Sequence, residues 1–107
     1  MIALQLGLAE TIYSASATTS TTSTTYAMPA RLCNLAWQYF FTTNPSAVVM
    51  NVQASNDGVN FVTVDSTTIT TGQLRVITGL AANFIRINQG SITGGALQSV
   101  IVTARAQ

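Results

Sequence analysis

Apolar and polar residues alternate along most of this chain, and the alternation is clearest in residues 48–55, VVMNVQAS. A period of two is typical of a strand with one buried face. Asn56, Asp57 and Gly58 interrupt the pattern, which resumes in residues 59–64. Because glycine adopts positive φ without a steric penalty, Asp57-Gly58 predicts a tight turn that joins two antiparallel strands.

Five further segments alternate in the same way, and a short sixth lies at residues 11–13. The five cover residues 2–8, 32–41, 74–78, 84–88 and 98–106. The chain therefore has seven or eight predicted strands, with turn residues between them and no segment of helical period. This pattern predicts an all-β fold, either an antiparallel sandwich or a barrel. A chain of 107 residues is expected to form one domain, residues 1–107, around one core.

The predicted core combines the apolar faces of these strands. In residues 2–8 the even-numbered positions are all aliphatic, and we expect them to point inward. Trp37 could act as a stacking surface for a sugar, but its place within an apolar stripe favours the core. The predicted core residues are Leu4, Leu6, Leu35, Trp37, Tyr39, Met50, Val52, Ile85, Ile87 and Val102.

Residues 14–25, SASATTSTTSTT, contain only Ser, Thr and Ala. Side chains this small and polar bury too little apolar area to offset the entropy lost on ordering, which favours an exposed loop. Two alternatives stay open: a strand, since Thr favours pleated structure, or an arm that becomes ordered against a neighbouring subunit. The candidate partner-binding residues of such an arm are Ser14, Thr18, Thr21, Thr24 and Tyr26.

Charged residues make up only 7% of the chain, against ~25% in a typical soluble domain. With 48% hydrophobic residues the chain is not expected to be disordered, and no apolar run approaches the ~20 residues of a membrane-spanning helix. Four scattered Arg and a net charge of +1 argue against nucleic acid binding. The N-terminal residues lack the features of a signal peptide. A surface this neutral is favoured when protein partners cover much of it.

Residues suited to catalysis are few. The chain has no His and no Lys, and its acidic residues are Glu10, Asp57 and Asp65. A glycosidase needs two carboxylates within roughly 10 Å. Asp57 and Asp65 are instead ~20 Å apart along an extended strand. Cys33 lies on a core-facing position and is expected to be a buried, unreactive thiol. We therefore expect that the protein is not an enzyme and has no catalytic residue.

Metal and cofactor sites are not expected either. A calcium site could use Asp57 with Asn56 and Asn60, but a single carboxylate makes a poor cage for this ion. A zinc site is not expected, because the chain has no His and only one Cys to act as ligands. We interpret Asn56, Asp57 and Gly58 as structural residues of the turn.

Two short motifs resemble the second half of discoidin-type, galactose-binding-like jelly rolls. Residues 55–61, SNDGVNF, are similar to S-x-D-G-x-x-F/W, and residues 84–87, FIRI, are similar to Y/F-V/I-R-I/V. The likeness covers about half of the chain. It implies a single antiparallel β-sandwich of jelly-roll type. Sugar-binding members of these families usually hold their ligands with long loops at one end of the sandwich.

In its small size, its abundant Thr and its lack of Lys, the chain resembles small structural proteins of tailed bacteriophages. This resemblance implies a decoration (cement) protein on the capsid surface of the virion, made in the cytoplasm of the bacterial host. Its expected partners are further copies of itself, as a dimer or trimer, and the major capsid protein, with no nucleic acid and no membrane. The alternative is a carbohydrate-binding or receptor-binding module of a phage tail or fibre.

Overall fold

Ten strands and no helix make up the part of the chain that the computed structural model describes, which is residues 2–107 without the side chains of residues 14–17 and 98. Seven strands have six or more residues, in agreement with the predicted seven or eight. The other three have two residues each, too few for an alternation to be visible in the sequence. The strands are β1 (Ile2–Ala3), β2 (Glu10–Ala17), β3 (Thr21–Thr22), β4 (Tyr26–Ala27), β5 (Cys33–Thr43), β6 (Ala47–Ser55), β7 (Val62–Thr67), β8 (Gln73–Leu80), β9 (Phe84–Thr93) and β10 (Ala96–Ala106).

The strands form two sheets that pack face to face. The first sheet has the order β2-β10-β5-β8, and the second has the order β1-β4-β9-β6-β7, with β3 also paired to β9. The antiparallel pairs are nested: β6 pairs with β7, β5 with β8, β4 with β9, and β2 with β10. Such nesting corresponds to a long hairpin wound over itself, which is the jelly-roll arrangement. The predicted antiparallel β-sandwich of jelly-roll type is confirmed.

The core lies between the sheets and consists of side chains at alternate positions of the long strands. Trp37 is fully buried and stacks on Tyr39, with the ring centroids 5.6 Å apart, so it offers no surface to a sugar. Cys33 is also buried, as predicted. Nine of the predicted core residues are confirmed: Leu4, Leu35, Trp37, Tyr39, Met50, Val52, Ile85, Ile87 and Val102.

The core prediction was wrong in the N-terminal segment. Ile2, Leu6 and Leu8 are exposed, and Leu4 is the one aliphatic side chain at an even position that is buried. β1 pairs in parallel with β4 of the second sheet, whereas Leu6 bridges Ala104 of the first sheet. The segment therefore crosses the side of the sandwich from one sheet to the other. Because it belongs to neither sheet throughout, its alternate side chains do not share one buried face.

Residues 14–25 contain more strand than an exposed loop would. β2 continues along β10 as far as Ala17, and Thr21–Thr22 forms β3 beside β9. The loop interpretation was wrong for these parts, where the strand alternative holds. Between β3 and β4, Ser23 N donates to the Ile87 carbonyl at 2.8 Å, and Ile87 N donates to Ser23 Oγ at 2.9 Å. Pairing through the backbone orders this segment without requiring apolar side chains.

The connection between β6 and β7 is a six-residue loop, residues 56–61, and the prediction of a tight turn was wrong. β7 begins at Val62, later than the alternation in the sequence indicated. Gly58 does adopt a positive φ of 75°, as predicted. The additional residues fold around the side chain of Asp57, which accepts hydrogen bonds from two of their backbone N–H groups.

Candidate interaction surface

The Asp57 carboxylate is the centre of the loop between β6 and β7. Its Oδ1 accepts hydrogen bonds from the backbone N–H groups of Asn60 and Val59, each at 2.8 Å, and from Ser55 Oγ at 2.8 Å. Its Oδ2 accepts a hydrogen bond from Asn60 Nδ2 at 2.8 Å. These bonds, led by the one from the Asn60 backbone, hold the pKa of Asp57 well below its usual range. The carboxylate is thus engaged in holding the loop, and a cation there would have to displace N–H donors.

A cleft of about 430 Å³ lies beside this loop at one end of the sandwich. Its polar wall is formed by the Asp57 loop, including Asn56 and Asn60, and by Ser55 at the end of β6. Its apolar wall comes from β7, the end of β8 and the β8–β9 connection, including Val62 and Leu80. None of the described residues that line it is aromatic. A small polar ligand would find hydrogen-bonding groups here but no ring to stack on.

The second carboxylate joins the two sheets along one side of the sandwich. Asp65 on β7 accepts a hydrogen bond from Trp37 Nε1 on β5, at 2.9 Å to Oδ2. Arg75 on β8 binds the same carboxylate with two N–H groups, Nε to Oδ2 and Nη2 to Oδ1, each at 2.9 Å. The Arg75 bonds are the main cause that holds the pKa of Asp65 below its usual value. Asp65 therefore closes the gap between the outermost strands of the two sheets.

The two acidic residues on and beside β7 thus have structural partners. Within the described residues, no three His, Cys, Asp or Glu side chains are grouped so as to hold a metal ion. The same part of the chain contains no helix long and apolar enough to cross a membrane.

A row of amide and hydroxyl side chains crosses the outer face of the second sheet, and its members bind one another. Asn88 Nδ2 donates to Thr22 Oγ1 at 3.0 Å, and Asn51 Nδ2 donates to Asn88 Oδ1 at 2.9 Å. Ser66 Oγ completes the row by donating to Asn51 Oδ1 at 2.7 Å. The row crosses β3, β9, β6 and β7, so much of the hydrogen-bonding capacity of this face is used within the protein.

The outer face of the first sheet has a different character. Leu74 and Val76 project from β8 and are 63% and 61% exposed. Arg75, between them, pairs with the buried Trp37 and so lies on the inner side. The outward positions of this sheet, which we call the β8 face, are Asn34, Ala36, Gln38, Phe40, Leu74, Val76, Ser99, Ile101 and Thr103, with Arg105 at the far end. Among the described side chains the central part of the β8 face carries no charge.

The fold is similar to that of a prophage protein. The crystal structure of the SPBc2 prophage-derived protein YomS matches with a TM-score of 0.67 and 11% sequence identity, over 91% of this chain and 91% of that chain. No protein-family model matches the sequence, and no match to a curated protein was found. The similarity to YomS shows a shared fold. The discoidin-type resemblance rests on its two motifs, which the structure places in the Asp57 loop and in β9.

The predicted partner-binding residues do not form one surface. Tyr26 is 4% exposed and belongs to the core, so its prediction as a partner contact was wrong. Thr18 and Thr24 are exposed, and Thr21 is half-buried on β3 beside β9. Ser14 lies on β2 in the opposite sheet, and its side chain is outside the described residues. The role of the exposed threonines stays a prediction.

The β8 face was missed because its apolar residues look like core in the sequence. Leu74 and Val76 alternate with Arg75 and Ile77, and hydropathy gives no reason to place Arg75 inside. The signal that could have shown the correct orientation is the need of an inward Arg for a carboxylate partner. Asp65 is the acidic residue nearest to it in the sequence.

Proposed function

We propose that this chain is a non-enzymatic structural protein of a tailed-phage particle, a capsid decoration protein that binds further copies of itself and the major capsid protein. The observation that carries the proposal is the β8 face, which exposes Leu74 and Val76 and lacks charge in its centre. The fold shared with a prophage-derived protein supports the phage origin.

The β8 face suits protein contact because it has little charge to desolvate. Interface centres are depleted in charged residues and enriched in apolar ones, whereas a typical exposed surface carries many Lys and Glu side chains. The opposite sheet is less suited, since its Asn51, Asn88 and Ser66 side chains already bind one another. Of the two outer faces, the β8 face is therefore the better candidate for contact with a partner.

Decoration needs only preferential binding to the assembled shell. A protein that binds assembled capsid more tightly than free subunits stabilises the shell by mass action. Several linked copies, each touching the capsid, add avidity without a tight single contact. Because the contacts would be mostly uncharged, the affinity should fall little as the salt concentration rises.

The test uses empty shells of the major capsid protein from the genome that encodes this chain. Purified protein is added at low and at high salt, and both binding and the melting temperature of the shell are measured. We expect binding at both salt concentrations and a higher melting temperature. Leu74→Lys should bind weakly, whereas Thr63→Lys, on the outer side of β7 in the other sheet, should bind like the wild type. Shells that neither bind the protein nor gain stability would refute the decoration role.

The cleft beside the Asp57 loop favours a second candidate, a carbohydrate-binding or receptor-binding module of a tail or fibre. Its Asn56 and Asn60 could bind sugar hydroxyls, although the site has no aromatic ring in its described lining. A glycan array with the isolated protein tests this function. Specific binding that is lost in Ala81→Trp, at an exposed residue of the cleft wall, would favour the module over the decoration protein.

A further inference from the structure

We infer that β8 pairs with β8 of a second copy of this chain, antiparallel and about a two-fold axis, so that the first sheets of two copies become one continuous sheet. This inference rests on the self-association included in the proposed function and names the strand that carries it. The argument starts from the outer edge of β8.

β8 is the outermost strand of its sheet, and among the described residues no other strand pairs with its outer side. Its outward backbone N–H and C=O groups are therefore available to a further strand. Native proteins usually block such an edge with Lys, Pro, an inward charge or a β-bulge. Residues 73–80 contain neither Lys nor Pro. Arg75, the charged residue of β8, is held by Asp65 on the inner side, and its charge is paired there.

The first five residues of β8 also have a regular register. Its pairing with β5 runs without a shift from Gln73 to Ile77, and the irregularity lies beyond Ile77. The outermost strand of the other sheet, β7, has a register shift beside Val64, within the strand. β2 has two register shifts along β10, and β1 has only two residues. Of the four outermost strands, β8 is the one whose pairing stays regular over five consecutive residues, and its inward charge is neutralised by Asp65.

A second copy fits this edge better than an unrelated strand because the edge is self-complementary. In an antiparallel pair about a two-fold axis, directly opposed side chains point to the same face of the sheet. A register centred on Val76 sets Val76 opposite its own copy and Leu74 opposite Thr78. It also sets Arg75 opposite Ile77, so no charge faces itself. The exposed apolar side chains of β8 are then buried by one another.

The first experiment is sedimentation velocity of the purified protein over a range of concentrations, without capsid. We expect the wild type to be mostly dimeric at about 50 µM, in the micromolar range typical of a small interface. Val76→Lys should raise the dissociation constant at least about ten-fold, since two Lys would face each other across the axis. Leu74→Lys should act in the same direction and serves as a second variant.

Thr63→Lys is the matched control. Thr63 is exposed and faces outward on β7, the outermost strand of the other sheet, so the substitution places the same side chain at an exposed edge position away from the cleft. We expect Thr63→Lys to dimerise like the wild type. A wild type that is monomeric throughout, or an equal effect of Thr63→Lys and Val76→Lys, would overturn the inference. Far-UV circular dichroism of each variant checks that it is folded.

The register is tested by Val76→Cys under mild oxidation. Opposed residues at the axis have Cα atoms within the range that a disulfide spans, so a covalent dimer is expected. Cys33 is buried and does not compete. Thr63→Cys, on the outer side of β7, should stay monomeric on a non-reducing gel, and absence of the Val76 cross-link would refute the proposed register.

Failure of this inference and failure of the decoration role give different results. A wild type that is monomeric in solution but binds and stabilises shells would overturn the β8 pairing and keep the proposed function. A wild type that dimerises through β8 but does not bind shells would keep the pairing and overturn the decoration role.

Discussion

Asp65→Ala should lower the free energy of unfolding by about 2–4 kcal/mol. The buried indole N–H of Trp37 donates to Asp65, and leaving it without an acceptor costs about 1–3 kcal/mol. Arg75 also loses its ion pair, but its side chain is 32% exposed and can be rehydrated, so this loss adds only about 1 kcal/mol. For a chain of this size the sum corresponds to a melting temperature lower by roughly 10–20 °C.

Urea titration followed by tryptophan fluorescence measures this loss, with Asp65→Asn as the matched variant. Asparagine keeps an oxygen that can accept the indole N–H and removes only the charge, so we expect a loss of about 1 kcal/mol. The difference in the free energy of unfolding between the two variants thus measures the cost of leaving the Trp37 indole N–H without an acceptor. If Asp65→Ala costs less than about 1 kcal/mol, or costs no more than Asp65→Asn, the closing of the sandwich by Asp65 is not a major source of stability.

Three further predictions follow from the core, the turns and the carboxylates. Trp37→Ala should cost about 3–5 kcal/mol in the same titration, because a fully buried side chain leaves a cavity; a loss below ~1 kcal/mol would contradict its burial. Gly95→Ala should lower the melting temperature more than Gly94→Ala. Both glycines have positive φ, but a Cβ at position 95 would lie 2.6 Å from Pro45 N, whereas one at 94 has only Ser46 Oγ, at 4.0 Å; equal effects would exclude this clash. Stability should change little from about pH 5 to pH 8 and fall below about pH 4. The Asp carboxylates bind protons more weakly in the folded than in the unfolded chain, so Asp65→Asn should reduce the acid loss seen in pH-dependent melting.

The core of the long strands was predictable from the sequence. In β5 and β6 the alternation is uninterrupted, and burial of Trp37 and Met50 follows from the period alone. Leu6 shows where the same reasoning fails. Alternation tells which side chains share a face only if the segment stays within one sheet, and residues 2–8 pass from one sheet to the other. The strand with which a segment pairs depends on the whole fold and cannot be read from the segment's own residues.

The candidate surface was not predictable for a related reason. The inward position of Arg75 depends on Asp65, which belongs to the other sheet, and no local pattern reports that contact. Without it, hydropathy would place Leu74 and Val76 inside and Arg75 outside. In the Asp57 loop the turn residues and the positive φ of Gly58 were predictable. The length of that loop was not, because it depends on side-chain hydrogen bonds of Asp57.

The nested pairing of strands also sets the order in which the chain can fold. β6 and β7 are separated by a six-residue loop, so their hairpin can close early with little loss of entropy. The pair of β2 and β10 joins Tyr13 to Val100, almost the full length of the chain. Contacts so distant in sequence slow folding, and all-β domains of this kind typically take milliseconds to seconds. During synthesis β2 leaves the ribosome long before β10, so its edge in the first sheet stays without its partner strand until β10 has been made.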